Sequence, residues 1–328
     1  MRLFAILALA LGLAPPAGAG VDAALDDHIL PGFAVFASRS ADLADTAAED
    51  CRPQALRPAY HAAFDAWMPV ADLRLGPSET GALSVGFWPD PRGFTPRKLT
   101  QFIASQDPIA RDPQGYSDVS VAARGFFALE RLIFDPGFSD YARGSYTCAL
   151  VTTIAADLAN QAAALDAGWR EDFAETLRTA GTPDNATFLS GQEALRALYT
   201  QVASSLEFTA QERLGAPMGT FERPRPARAE AWRSGRSLRN ARLAAEAAHG
   251  LATALADWPT PQSDAALDAL QAAAARIEDP AFQDVDTPQG RLRAEVLQQA
   301  VTGLRAAIAT EIGARYGIAP GFNSQDGD

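Results

Sequence analysis

Apolar residues recur at three- and four-residue spacing through most of the chain, and strand-like alternation is almost absent. Residues 22–50 place Leu25, Ile29, Phe33, Phe36 and Leu43 on one helical face, with Pro31 set to kink the helix or restart it. Pro53 opens a second helix whose stripe is Leu56, Tyr60, Phe64, Trp67 and Val70. The pattern predicts further helices over 96–105, 118–134, 139–168, 187–214, 226–256, 263–278 and 288–316. The last carries Leu292, Val296, Leu297, Val301, Leu304, Ile308 and Ile312 as its stripe. Residues 76–97 are rich in proline and glycine and read as loop, yet they hold Phe87, Trp88 and Phe94. Aromatic side chains in such a loop suit one folded over the mouth of a bundle. The predicted fold class is all-α, with two helical bundles of the four-helix type in series, over 20–168 and 169–328. Gly168 and residues 181–185 (GTPDN) mark the boundary.

One stretch stands apart. Arg124–Asp135 reads RGFFALERLIFD, and ahead of Asp135 its polar positions Arg124, Glu130 and Arg131 leave the rest apolar. A helix this apolar belongs in the middle of a bundle. It carries Glu130 into that buried setting, where an ionised carboxylate needs a partner. Glu130 is therefore either ion-paired, with Arg124, Arg131 or Arg74 as the candidates, or part of a site.

The two ends and the composition narrow the setting. Residues 1–19 have a basic Arg2, an apolar run from Leu3 to Leu13 and the small residues Ala17-Gly18-Ala19, which is the pattern of a secretory signal peptide cleaved near Ala19. No later apolar run approaches the roughly 20 residues of a membrane span, so the expected location is the periplasm. Acidic residues number 40 against 28 basic ones, for a net charge of −12. This argues against nucleic acid as a partner. Cys51 and Cys148 are the only cysteines, and an oxidising compartment predicts that they pair.

Several stretches together resemble the imelysin family of exported bacterial proteins, some of them classed as metallopeptidases. FDAWMPVADLRLGP (64–77) resembles its Trp-containing helix followed by Arg, Gly and Pro; FWPDPRG (87–93) resembles its Trp-Pro loop. RGFFALERLIFD resembles its Gly-x-His-x-x-Glu region, and EAWRSGRSL (230–238) its second-half helix rich in Glu and Ser. The terminal GFNSQDGD (321–328) resembles the ending of many members. The resemblance implies two helical bundles, a site near the Gly-x-His-x-x-Glu helix and an association with iron uptake. Gly125 and Glu130 match that motif, while Phe127 occupies its histidine position.

The candidate chemistry is correspondingly sparse. Glu130 is one carboxylate ligand, Phe127 is none, and a hydrolytic zinc site usually takes three protein ligands. His61 and Asp65 share a helix face at i, i+4; with His28 and Glu130 they form an imaginable metal set for iron or zinc, although ordinary partly buried histidines explain them as well. No catalytic residue is identified, and no serine nucleophile is supported. Candidate binding residues are Glu130, Gly125, Arg124, Arg74, Trp67 and Trp88. Arg233, Arg236, Arg239 and Arg242 recur every three residues, and Arg225 and Arg228 share that spacing upstream, so several could share one helix face. That face either binds an anion or pairs with Glu222, Glu230 and Glu246. The leading reading is a non-catalytic binding protein for iron or another metal, taking a metal ion or small anionic ligand. The alternatives are an imelysin-type metallopeptidase and a scaffold binding an envelope protein through the Arg223–Arg242 face.

Overall fold

The computed structural model describes residues 17–318; most of the predicted leader and the acidic tail Asn323–Asp328 lie outside the described residues. The chain opens with α1 (Ala17–Ala23), a π-helical segment (Ala24–Ile29) and α2 (Leu30–Glu49) in one continuous helical run. Leu30 donates its N–H to the Leu25 carbonyl, a spacing of five, immediately ahead of Pro31. The wider turn lets the helix pass the proline without a break. There follow α3 (Pro53–Trp67), α4 (Ser78–Val85), α5 (Phe94–Ser105), α6 (Gly125–Phe134), α7 (Tyr146–Gly168) and α8 (Ala174–Arg178). The second half holds α9 (Gly191–Phe208), α10 (Ala216–Met218), α11 (Ser237–Leu255), α12 (Pro261–Ala274) and α13 (Pro288–Glu311). Among the described residues no β-strand occurs, only the isolated bridge Thr220–Arg223.

Two groups of helices pack. α2, α3, α6 and α7 form one, and α9, α11, α12 and α13 the other. α1 and the π-helical segment reach across to α9 and α11, so the first helical run serves both groups. In the first group Leu25, Ile29, Phe33, Phe36 and Leu43 are buried as their spacing predicts, as are Leu56, Tyr60, Phe64, Trp67 and Val70. Phe64 stacks on Phe126 with ring centroids 4.3 Å apart, and Tyr60 meets Phe126 edge-on. Each such side chain contributes about 1.5–3 kcal/mol by burial. Cys51 and Cys148 are joined in a disulfide with Cα atoms 5.4 Å apart, tying the start of α3 to the start of α7.

Several boundaries differ from the periodicity. The central helix begins at Gly125 rather than near Asp118, because short 3-10 turns at Gly115–Asp118 and Val121–Ala123 precede it. Gly125 adopts φ +65° and lies so close to the Ser84 and Val85 carbonyls that any β-carbon would collide with them. α7 starts at Tyr146, where the Ser145 hydroxyl accepts the Cys148 N–H at 3.2 Å. The 76–97 loop contains the helix α4, and Phe94 is largely exposed. Leu292 and Val296 fall outside the buried stripe of α13, at 60% and 39% exposure.

The continuous helix Tyr146–Arg178 is long and apolar enough to cross a membrane by length and composition. It lies instead against α2 and α6, with Leu150, Val151, Ile154 and Leu158 fully buried. Midway along it Asp157 accepts two hydrogen bonds from Arg124. It is a core helix.

Candidate functional site

Glu130 sits on α6 with only 3% of its surface exposed. None of the three arginines proposed from sequence pairs with it. Arg124 pairs with Asp157, Arg131 with Asp135, and Arg74 donates to the carbonyls of Ala71 and Leu73. The partner is Ser234, 104 residues away. Its backbone N–H and its hydroxyl both donate to Glu130 Oε1, at 3.0 and 2.9 Å. Burial pushes the Glu130 carboxyl above its usual range, against the opposing pull of Ser234, Arg233 and Arg131.

Ser234 lies in a segment that the periodicity assigned to a helix over 226–256. That helix begins only at Ser237. Pro224 and Pro226 interrupt the approach, and Ala231 and Gly235 take left-handed backbone conformations at φ 47° and 69°. The arginines therefore do not share a helix face. Arg233 Nε donates to Asp135 at 2.9 Å, and Arg239 and Arg236 both grip Asp65, at 2.5 and 2.6 Å. Arg242 pairs with a local acid, Glu246. Arg236 is buried, also reaches His61 and Asn240, and lies 4.7 Å over the Phe64 ring. Glu230, expected beside these arginines, instead joins Asp72 around the buried Arg213.

Around Glu130 opens a cavity of about 540 Å³ lined from both halves of the chain. Its walls are aromatic: Phe87 and Trp88 from the Trp-Pro loop, Phe127 from α6, Phe208 from the end of α9, and Trp232. Trp88 and Phe127 lie nearly parallel with centroids 6.4 Å apart, and Phe208 meets Trp88 edge-on at 5.7 Å. Arg131, Arg228 and Arg233 also line it, as do Asp90 and Glu212. The Asp90 carboxylate is already engaged by the N–H groups of Phe94 and Thr95, capping α5. Arg131 and Arg233 converge on a single oxygen, Asp135 Oδ2, at 2.6 and 2.9 Å.

Of the candidate binding residues, the structure brings Glu130 and Trp88 to this cavity; Phe87 of the loop, Arg131, and Arg228 and Arg233 of the arginine run join them. Trp67 is in the core against Phe36, and Gly125 gives its helix close approach to the Val85 carbonyl. His61 and Asp65 surround Arg236, and His28 faces the Pro69 carbonyl at 3.3 Å. Burial holds both histidines below the ordinary imidazole range, and Arg236 adds to this at His61. Among the described residues no three His, Cys, Asp or Glu side chains converge to hold a metal ion. The metal that a metallopeptidase needs is thus not matched by a donor set around Glu130, whose neighbour Phe127 offers no ligand. Sequence reasoning missed Ser234, Trp232 and Phe208. A signal existed for the first two, which flank Arg233 in the WRS of the second-half motif.

The Imelysin family model matches residues 29–308. The chain belongs to the imelysin family. Two solved structures share its fold. An imelysin-like protein from Psychrobacter arcticum 273-4 is 19% identical, with TM-score 0.74 over 97% of this chain and 100% of that one. A protein described as an iron-regulated protein A precursor, from Parabacteroides distasonis ATCC 8503, is 15% identical, with TM-score 0.72 over 92% of this chain and 95% of that one. No curated protein matches with significance.

Proposed function

We propose that this imelysin-family protein is an exported binding protein serving the acquisition of iron or another metal, and that it holds a metal chelate or its organic ligand rather than a bare ion. One observation carries the reading: a buried carboxylate, Glu130, sits at an aromatic, arginine-edged cavity instead of within a cluster of metal ligands. The cavity volume falls inside the range of small-molecule sites. The iron-regulated relative supports the metal connection, and its description as a precursor agrees with the leader-like residues 1–19.

The test has two arms. Elemental analysis after dialysis against iron and zinc salts should find no stoichiometric metal. Thermal denaturation in the presence of iron(III) chelates of hydroxamate, catecholate and carboxylate type should show a raised midpoint with one class, lost in W88A. Stoichiometric metal taken from the salts and lost in E130Q would place a protein-ligated ion there and overturn the chelate reading. Failure of every chelate to raise the midpoint would overturn the link to metal acquisition.

A further inference from the structure

The cavity's hydrogen-bonding groups are unevenly used. Arg131 and Arg233 share one acceptor oxygen, Asp135 Oδ2. Each uses one N–H on Asp135, which leaves further donors of each planar fork without an acceptor among the described residues. Arg228 lines the same cavity with no ion-pair partner among the described residues. Glu130 presents the opposite need. Both Ser234 hydrogen bonds fall on Oε1, and Oε2 has no protein donor among the described residues. Between these polar features the walls are aromatic, with Trp88 and Phe127 nearly parallel.

We infer that the cavity recognises a hydroxylated aromatic carboxylate, its carboxylate on Arg131 and Arg233, its ring against Trp88 and Phe127, and a ring hydroxyl donating to Glu130. An oxyanion takes up the unused N–H donors of the arginine pair. A flat ring fits parallel aromatic walls. A hydroxyl donor satisfies the carboxylate oxygen that the protein leaves open. Glu212 also lines the cavity and disfavours a second negative charge, so the ligand carries its charge at one end. This inference rests on the binding reading above and names the chemical class for the same site.

The test uses metal-free probes: 3,4-dihydroxybenzoate, benzoate, 4-methylcatechol and cyclohexanecarboxylate, titrated against the full chain by calorimetry. 3,4-Dihydroxybenzoate should bind tightest, and loss of either polar group should weaken binding about tenfold or more, because a site built to bond a polar group discriminates against its absence. Replacing the ring by cyclohexane should also weaken it. R233K, which keeps the charge but loses the planar fork, should reduce affinity for both carboxylates by a similar factor. E130Q should narrow the gap between 3,4-dihydroxybenzoate and benzoate, with circular dichroism confirming that both variants fold. Equal affinity for all four probes, or no binding of any, would overturn the inference. If iron chelates raise the thermal midpoint while these probes do not bind, only this assignment fails. If the probes bind and no chelate does, the assignment stands and the metal role fails.

Discussion

Ser234 donates its backbone N–H and its hydroxyl to the same oxygen of Glu130, although 104 residues separate the two. The hydroxyl has a second claimant, the Ala231 carbonyl, also at 2.9 Å. A single hydroxyl proton serves only one acceptor at a time. The backbone N–H is therefore the one obligate donor from Ser234 to a carboxylate that is only 3% exposed, and burial prevails over its neighbours in raising the proton affinity.

That elevation fixes the sign of a pH effect. The unfolded carboxyl titrates near 4.5, and the folded one higher. The stability from the neutral form is complete below the unfolded value and is lost as pH rises through the folded one. Compared with E130Q, wild type should lose stability as pH rises from the unfolded value near 4.5 through the raised folded one, followed as urea midpoints across that rise. A constant difference between the two proteins would contradict the assignment.

The buried Arg236 joins α3 to α11 through Asp65, with its guanidinium side chain only 1% exposed. R236A leaves Asp65 to Arg239 alone and His61 and Asn240 without their buried donor, and should cost about 1–3 kcal/mol. Arg239 holds the same aspartate from a side chain 57% exposed, and R239A should cost no more than about 1 kcal/mol. Urea denaturation of the two variants checks the order.

Much of the architecture follows from apolar spacing. The stripes Leu25–Leu43 and Leu56–Val70 are buried as read, because regular helices on a core need only the 3.6-residue repeat. The site is a different matter. Glu130 was legible as an anomaly, but its partner was not, since the local arginines at 124 and 131 prefer Asp157 and Asp135. Periodicity also ran the helix of 226–256 through Ala231 and Gly235, whose left-handed backbone creates the turn presenting Ser234. Contacts such as Arg236 with Asp65, 171 residues apart, depend on tertiary packing that no spacing rule encodes.

Two glycines should respond oppositely to alanine. At Gly125 a β-carbon would lie 2.1 Å from the Val85 carbonyl oxygen, in a backbone of φ +65°. G125A should lose at least about 1–3 kcal/mol from the backbone strain alone. Gly303 lies within α13 with nothing near its β-carbon position, and G303A should gain about 0.4–1 kcal/mol. Thermal and urea midpoints of both variants decide it.

Removing the Cys51–Cys148 link frees a sequence separation of 97 residues. The double serine variant should be less stable by about 2–5 kcal/mol, as should the reduced wild type. A shift much smaller than this in both would mean that packing of α2, α3 and α7 holds the region unaided.

The central claim is that the cavity beside Glu130 is where ligand binds, and its five tryptophans make that directly observable. Indole N–H resonances of ¹⁵N-labelled protein, assigned by Trp→Phe variants, would be followed while 3,4-dihydroxybenzoate and its gallium(III) complex are added separately. The account predicts saturable shifts at Trp88 and Trp232, with Trp67, Trp169 and Trp258 essentially unmoved. Shifts confined to those three, or none at all with either probe, would contradict it.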